Sequence, residues 1–180
     1  MKLWLVRHAQ PLVDPGVCYG AMDVAADVGA TQQAGTALAK ELPAHVQVLC
    51  SPLQRCTQLA NVLHALRPDL AWRVDPRLRE MDFGCWEGWR WSNIAPDAFA
   101  QWTADFHAYR FGGHESVGEL MDRVAQVLSE FSQLDQGVWI THAGVMRAAT
   151  LLTKGVVRLE APAQWPLATI PLGRAQCLSW

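Results

Sequence analysis

The sequence predicts an α/β domain of three layers, with a central, mostly parallel sheet flanked by helices. Short apolar runs without hydrophobic alternation recur along the chain, as in strands buried on both faces, and segments with helical spacing of apolar residues separate them. Several of these runs stop abruptly at polar residues. In parallel sheets functional side chains gather at such carboxyl ends.

The first strand is expected at Leu3 to Val6, where the run LWLV ends in Arg7 and His8. Ala30 to Leu42, rich in Ala, Gln and Leu, is expected to be helical, followed by a strand at Val46 to Cys50. Pro52 to Leu66 has apolar residues at Leu53, Leu59, Val62, Leu63 and Leu66, and predicts a helix with Ser51 as N-cap, Pro52 at the first position and Gln54 completing a capping box. Ser116 and Glu119 repeat the device and open a helix expected to run to about Leu134. Gly137 restarts the chain into a strand at Val138 to Thr141, which delivers His142, and Gly144 to Leu152 is expected to be helical. Ala168 to Trp180 is expected to form one or two strands turning at Leu172 and Gly173.

No repeat, linker or low-complexity tract divides the chain, so its 180 residues are expected to be one domain, 1–180. Residues 85–114 form the irregular part, holding Trp86, Trp89, Trp91 and Trp102, a predicted helix from Pro96 to Phe106 and the pair Gly112-Gly113. This segment is expected to cover the site.

Seventeen acidic and fifteen basic residues give a net charge of −2, which offers no footprint for nucleic acid or for an anionic membrane. No apolar stretch approaches the roughly 20 residues of a membrane span, and the apolar run in MKLWLVRHA is shorter than the core expected of a signal segment. A cytoplasmic protein is expected, and a homodimer is compatible with the sequence. The five cysteines lack the spacing of a disulfide framework or zinc site and are expected to be buried free thiols.

The strand ends carry the chemistry. Arg7, His8, Ser51 and His142 should converge at one edge of the sheet, and Arg55 joins them from the first turn of the helix after Ser51. Guanidinium groups and a helix N-terminus favour an anion such as phosphate. An imidazole held by a hydrogen bond on one nitrogen could attack phosphorus with the other, provided an acid meets the leaving oxygen. RLREMDFGCWEG, residues 77–88, offers Glu80, Asp82 and Glu87 for that role.

The strings RHA, SPLQRCTQLA, LREMDFGCWEG, GGHES and THAG occur in this order with matching strand and helix context. Through them nearly the whole chain resembles the histidine phosphatase superfamily, with its phosphoglycerate mutase-like fold. The resemblance implies that His8 becomes phosphorylated, that Arg7 and Arg55 form the phosphate pocket, and that His142 contacts the phosphoryl group. It selects Glu80 over Asp82 as the acid, with Glu87 bracing the pocket and Gly84 and Gly88 shaping the loop. The catalytic set is then His8, Glu80 and His142, with a two-step displacement through phosphohistidine. No metal or cofactor is required in this reading, because the arginines and the histidine supply the positive charge.

After the nucleophile the family's usual opening has glycine, an acidic or amide residue, a hydroxyl residue and, a few positions on, asparagine; here Gln10 fits, while Ala9, Pro11 and Asp14 depart from it. Pro11 removes a backbone donor, and Asp14 would repel phosphate. Asp14, Arg147, Trp86 and Trp89 are candidate substrate contacts. Gly20 and Asp23, in YGAMD, resemble a family loop with a structural role. His45 and His64 read as surface residues, while His107 and His114 lie near the cover without motif support.

The partner expected is a small phosphorylated metabolite. Within the superfamily the chain looks most like the alpha-ribazole phosphatases of cobalamin assembly. Mutase-type phosphoryl transfer is the alternative, but the mutases are longer, with insertions and a C-terminal tail. A non-catalytic phosphate-binding regulatory module is the remaining reading, prompted by Pro11 and Asp14.

Overall fold

The computed structural model describes residues 1–180. Its centre is a five-stranded sheet of β1 (Lys2–Arg7), β2 (Gln47–Cys50), β3 (Trp72–Val74), β4 (Gln136–Thr141) and β5 (Ala175–Ser179), in the order β3-β2-β4-β1-β5. All neighbours are parallel except β5, which runs antiparallel to β1. The expected strands are present. β3, only three residues long and at the sheet edge, carries too short a pattern to be read in advance.

Helices α1 (Val28–Glu41) and α2 (Gln54–Leu66) pack against each other on one face, and α4 (Val117–Phe131) against α5 (Ala143–Leu152) on the other. Between these pairs lies α3 (Pro96–Ala104) in the cover segment. Leu3 and Leu5 of β1 enter the core shared with α4 and α5, whereas Val6 enters the core beneath α1 and α2. In β4, Trp139 takes the first side and Val138 and Ile140 the second. Both faces of the central strands are therefore dry, which is why β1 and β4 read as unbroken apolar runs.

Local signals explain most element ends. Asp27 caps α1 by accepting from the Ala30 amide, and the capping box of Ser116 and Glu119 is formed in full. α4 stops at Phe131, three residues before the expected end, and the polar stretch after it turns through a hydrogen bond from Leu134 N to Phe131 O. Gly137 is required at the start of β4, because a Cβ there would lie 2.2 Å from the Phe131 ring.

One expectation is corrected. The capping box of Ser51 and Gln54 does not form: α2 begins at Gln54, and Ser51 Oγ accepts from the Leu53 amide and pairs with His142 instead. Asp23 takes over the cap by accepting from Gln54 N at 2.6 Å, which gives the YGAMD loop its structural role. At the other end of the chain a single strand forms, and residues before it are irregular up to a turn at Gly173 with φ of +68°.

The tryptophan-rich segment is a small aromatic core of its own. Fully buried Phe111 lies at its centre, stacked on Trp102 at 4.4 Å and on Trp91 at 6.1 Å, with Phe83, Trp86 and Phe99 around it. Most of these rings hold the cover together. Of the cysteines, Cys18, Cys50 and Cys56 are buried as expected, but Cys85 is exposed on this cover and Cys177 is half-buried in β5. No helix is long and apolar enough to cross a membrane.

Candidate active site

The register of the sheet builds the site. Arg7 of β1 pairs with Thr141 of β4, so the next residues, His8 and His142, emerge side by side with ring centroids 5.2 Å apart. Ser51 follows β2 in the same way, its amide donating to Ile140 O. Arg55, one residue into α2, reaches the same point from the helix N-terminus.

His8 is 2 % exposed. Its Nδ1 lies 2.7 Å from the carbonyl oxygen of Ala9, an acceptor only, so Nδ1 carries the proton and Nε2 keeps its lone pair. Burial, reinforced by the positive charges of Arg55 and Arg7, lowers its pKa to about 3, although the Ala9 carbonyl works the other way. The ring is a neutral base with a defined tautomer.

His142 is fully buried, and its pKa is also lowered, by burial first and then by Arg55 and His8. Arg55 Nε donates to its Nδ1 at 3.3 Å, so the neutral ring carries its proton on Nε2 and gives it to Ser51 Oγ at 2.7 Å. Both ring nitrogens of His142 are hydrogen-bonded, the ring lies against Arg55 and His8, and His142 is not among the residues that line the adjacent cavity. Arg55 also donates to the carbonyls of Met22 and Gly20, each at 2.7 Å, and lies over the Tyr19 ring. Gly20 is needed in that loop, since a Cβ would meet Met81 O at 1.9 Å.

A cavity of about 270 Å³ opens here, lined by Arg7, His8 and Arg55 and by Glu80 and Arg147. Its remaining wall includes Tyr19, Phe83 and Trp91. Glu80 is held by two amides, Met81 N to Oε1 and Gly144 N to Oε2 at 2.9 Å. Gly144 lies in the first turn of α5, and any Cβ there would strike the Glu80 carboxylate at 2.2 Å. Asp82 faces elsewhere, accepting from Gly84 N and pairing with His114. Glu87 braces the rim, tying Ala21 N and Met22 N to Phe83 N.

The remaining candidates separate. Arg147 lines the cavity, and burial lowers its pKa. Asp14 is turned to solvent, with its side chain 77 % exposed and 3.5 Å from Arg90, so its charge is removed from the cavity. Pro11 is buried and bridges Ala26, a position where its missing N–H leaves the cavity unaffected. Trp86 packs edge-on against Trp89, which is 51 % exposed, and neither ring lines the cavity; Trp91 takes that place. His107 accepts from Leu159 N and, like His114, lies outside it. Sequence reasoning missed Trp91, Tyr19 and the Gly144 amide. For Gly144 the signal was present in the glycine of THAG directly after His142. No group of three or more His, Cys, Asp or Glu side chains converges in a way that could hold a metal ion.

The two buried neutral histidines make stability fall with acid. Below the ordinary histidine value of 6.5 the unfolded chain takes up protons that the folded chain refuses until about pH 3 at His8. Stability should therefore decline as pH drops from 6.5, by about 1.4 kcal/mol per pH unit for each proton. Asp75, Glu119 and Glu130, whose pKa values are lowered, add to the loss only nearer their ordinary values of 3.8 to 4.5. Urea unfolding at pH 7.0, 6.0 and 5.0 checks this, and a midpoint that does not move over that interval would contradict neutral burial.

Comparison with known proteins gives a consistent result. A family profile described as histidine phosphatase superfamily (branch 1) matches residues 3–170. Phosphoserine phosphatase 1 of Hydrogenobacter thermophilus is 32 % identical over 165 residues, covering 87 % of this chain and 77 % of its own length. Adenosylcobalamin/alpha-ribazole phosphatase of Salmonella typhimurium is 26 % identical over 177 residues, covering 92 % and 84 %. Among solved structures, TTHB049 of Thermus thermophilus superposes with a TM-score of 0.77 at 29 % identity, covering 100 % of this chain and 94 % of that one.

Proposed function

The chain belongs to the histidine phosphatase superfamily, branch 1, as a phosphatase, and from that premise we propose that it hydrolyses small phosphomonoesters through a phosphohistidine at His8. The observation that carries the mechanism is the Ala9 carbonyl on His8 Nδ1, which leaves Nε2 as a free nucleophile facing a cavity with three arginines. In the first step Nε2 bonds to phosphorus in line as the ester oxygen departs, and Glu80 donates the proton to that oxygen. In the second Glu80 takes a proton from water, which displaces phosphate from Nε2. Arg7 and Arg55 stabilise the equatorial oxygens. His142 acts through Arg55, whose Nε it receives, and by packing on His8.

Alpha-ribazole 5′-phosphate is one substrate to test, supported by the Salmonella relative. The phosphoserine phosphatase relative supports a second, and Trp91 rather than Trp86 or Trp89 is placed to touch either leaving group. Rapid acid-free quenching during turnover, followed by peptide mass spectrometry, should find one phosphoryl group on His8. It should survive alkali and be lost in acid, as a phosphoramidate is. A phosphoryl group on another residue, or none under single-turnover conditions, would refute the intermediate.

A further inference from the structure

Past the short 3₁₀ turn at Pro76–Leu78 the chain runs extended to Glu80, so the carbonyls of Arg77, Leu78, Arg79 and Glu80 have no helix or strand to supply their donors. Backbone polar groups in such a place need partners from elsewhere. Side chains supply them for all four. Thr141 Oγ1 donates to Leu78 O at 2.8 Å. Arg123, from the second turn of α4, takes the other three: Nη1 donates to Arg77 O at 2.5 Å and to Arg79 O at 2.7 Å, and Nη2 to Glu80 O at 3.2 Å.

Arg123 also takes hold of the chain beyond the acid. Its Nε and Nη2 donate to the two oxygens of Glu115 at 2.6 and 3.1 Å, and Glu115 Oε2 in turn accepts from the Asp82 amide at 3.0 Å. All five N–H groups of the guanidinium are thereby used. Both side chains of this pair are only 16 % exposed, so solvent screens the contact little. The backbone is gripped up to Glu80 through carbonyls and again at Asp82 through an amide.

The grip is anchored where the site is built. Thr141 lies opposite Arg7 in the sheet, one residue before both histidines, and α4 packs on α5, whose Gly144 amide holds Glu80 Oε2. Backbone and carboxylate of the acid are therefore tied to the elements that place His8. A general acid works only within hydrogen-bond reach of the leaving oxygen, and a displacement of about 1 Å costs up to about 10²-fold in rate. Lysine could not replace this arginine, because its donors sit on one nitrogen and cannot span three carbonyls and a carboxylate together.

We infer that Arg123, acting with Glu115, is a positioning residue for Glu80: it fixes the backbone on both sides of the acid and so sets the carboxyl group against the leaving oxygen. The inference rests on the proposed role of Glu80 as the acid. Its test compares Arg123→Met and Arg123→Lys, the second keeping the charge that Glu115 needs, on an alkyl phosphate and on p-nitrophenyl phosphate, whose leaving group requires no proton. Partial unfolding would lower both rates equally, so the ratio between the substrates reports the acid. Arg123→Met should lose about 10²-fold with the alkyl ester and less than about tenfold with p-nitrophenyl phosphate, and Arg123→Lys should recover part of the difference. Added to Glu80→Gln, Arg123→Met should cost almost nothing more with the alkyl ester. Equal losses on the two substrates, or losses that multiply in the double variant, overturn the positioning role, while a leaving-group contrast in Glu80→Gln alone keeps the acid. The Gly144 amide gives a reading that needs no turnover. In the first turn of α5 it has no partner within the helix, and Glu80 Oε2 is its acceptor. Its hydrogen exchange, followed by NMR, should quicken about tenfold in Arg123→Met, with the Met146 amide, bonded to His142 O, as the unchanged control. If Glu80→Gln shows no contrast, the acid reading falls and this exchange decides: an unchanged Gly144 amide overturns the positioning of Glu80, and a faster one upholds it.

Discussion

Replacing His8 by alanine is expected to lower turnover of every phosphomonoester by more than about 10⁴-fold while the protein stays folded. The size follows from the lack of a substitute. Cys56 lies 3.5 Å from His142 Nε2, but it is buried and burial drives its thiol far from ionisation. Ser51 is buried too, and its oxygen already pairs with His142 and the Leu53 amide. Water could enter the space left by the imidazole, yet no group there would hold it in line. Steady-state rates with a panel of esters, set beside thermal unfolding of the variant, check the expectation. Residual activity above about one per cent would mean that another group attacks phosphorus.

Glu80→Gln should cost about 10²- to 10³-fold with alkyl esters and far less with p-nitrophenyl phosphate, whose leaving group needs no proton. Glutamine keeps the shape of the side chain and can still accept from Gly144 N, so the change removes the transferable proton more than the architecture. The contrast between leaving groups is the signature of a general acid. Asp82→Asn serves as the comparison, because Asp82 caps the turn at Gly84 and pairs with His114 on the outer side. Equal losses for good and poor leaving groups, or a larger loss in Asp82→Asn, would take the acid role from Glu80.

The positions of His8 and His142 were legible because β1 and β4 are buried on both faces and end at polar residues. An apolar run with a polar stop is visible without any tertiary information. The start of α2 was not. Ser51 has the type and spacing of a cap, but its oxygen pairs with a histidine 91 positions away, and Asp23 caps the helix from another loop. A local pattern cannot announce a distant competitor. The same limit governs the cover: Trp86, Trp89 and Trp91 look alike in sequence, and packing around Phe111 decides which ring meets the cavity. His142 shows a subtler limit, since its place at the strand end was readable while its two hydrogen-bond partners were not.

The neighbours of β1 have a consequence for synthesis. Both strands that flank it, β4 and β5, come from the last quarter of the chain, and Arg7 N, His8 N and His8 O bond only to residues beyond 140. At about 5 to 20 residues per second, the ribosome leaves the segment LWLV without its partners for roughly ten to thirty seconds. During that interval an apolar strand with two open edges is available to other chains or to chaperones. His8 is thus made well before the strands that complete its surroundings, and its backbone bonds wait for Thr141 and Gly173.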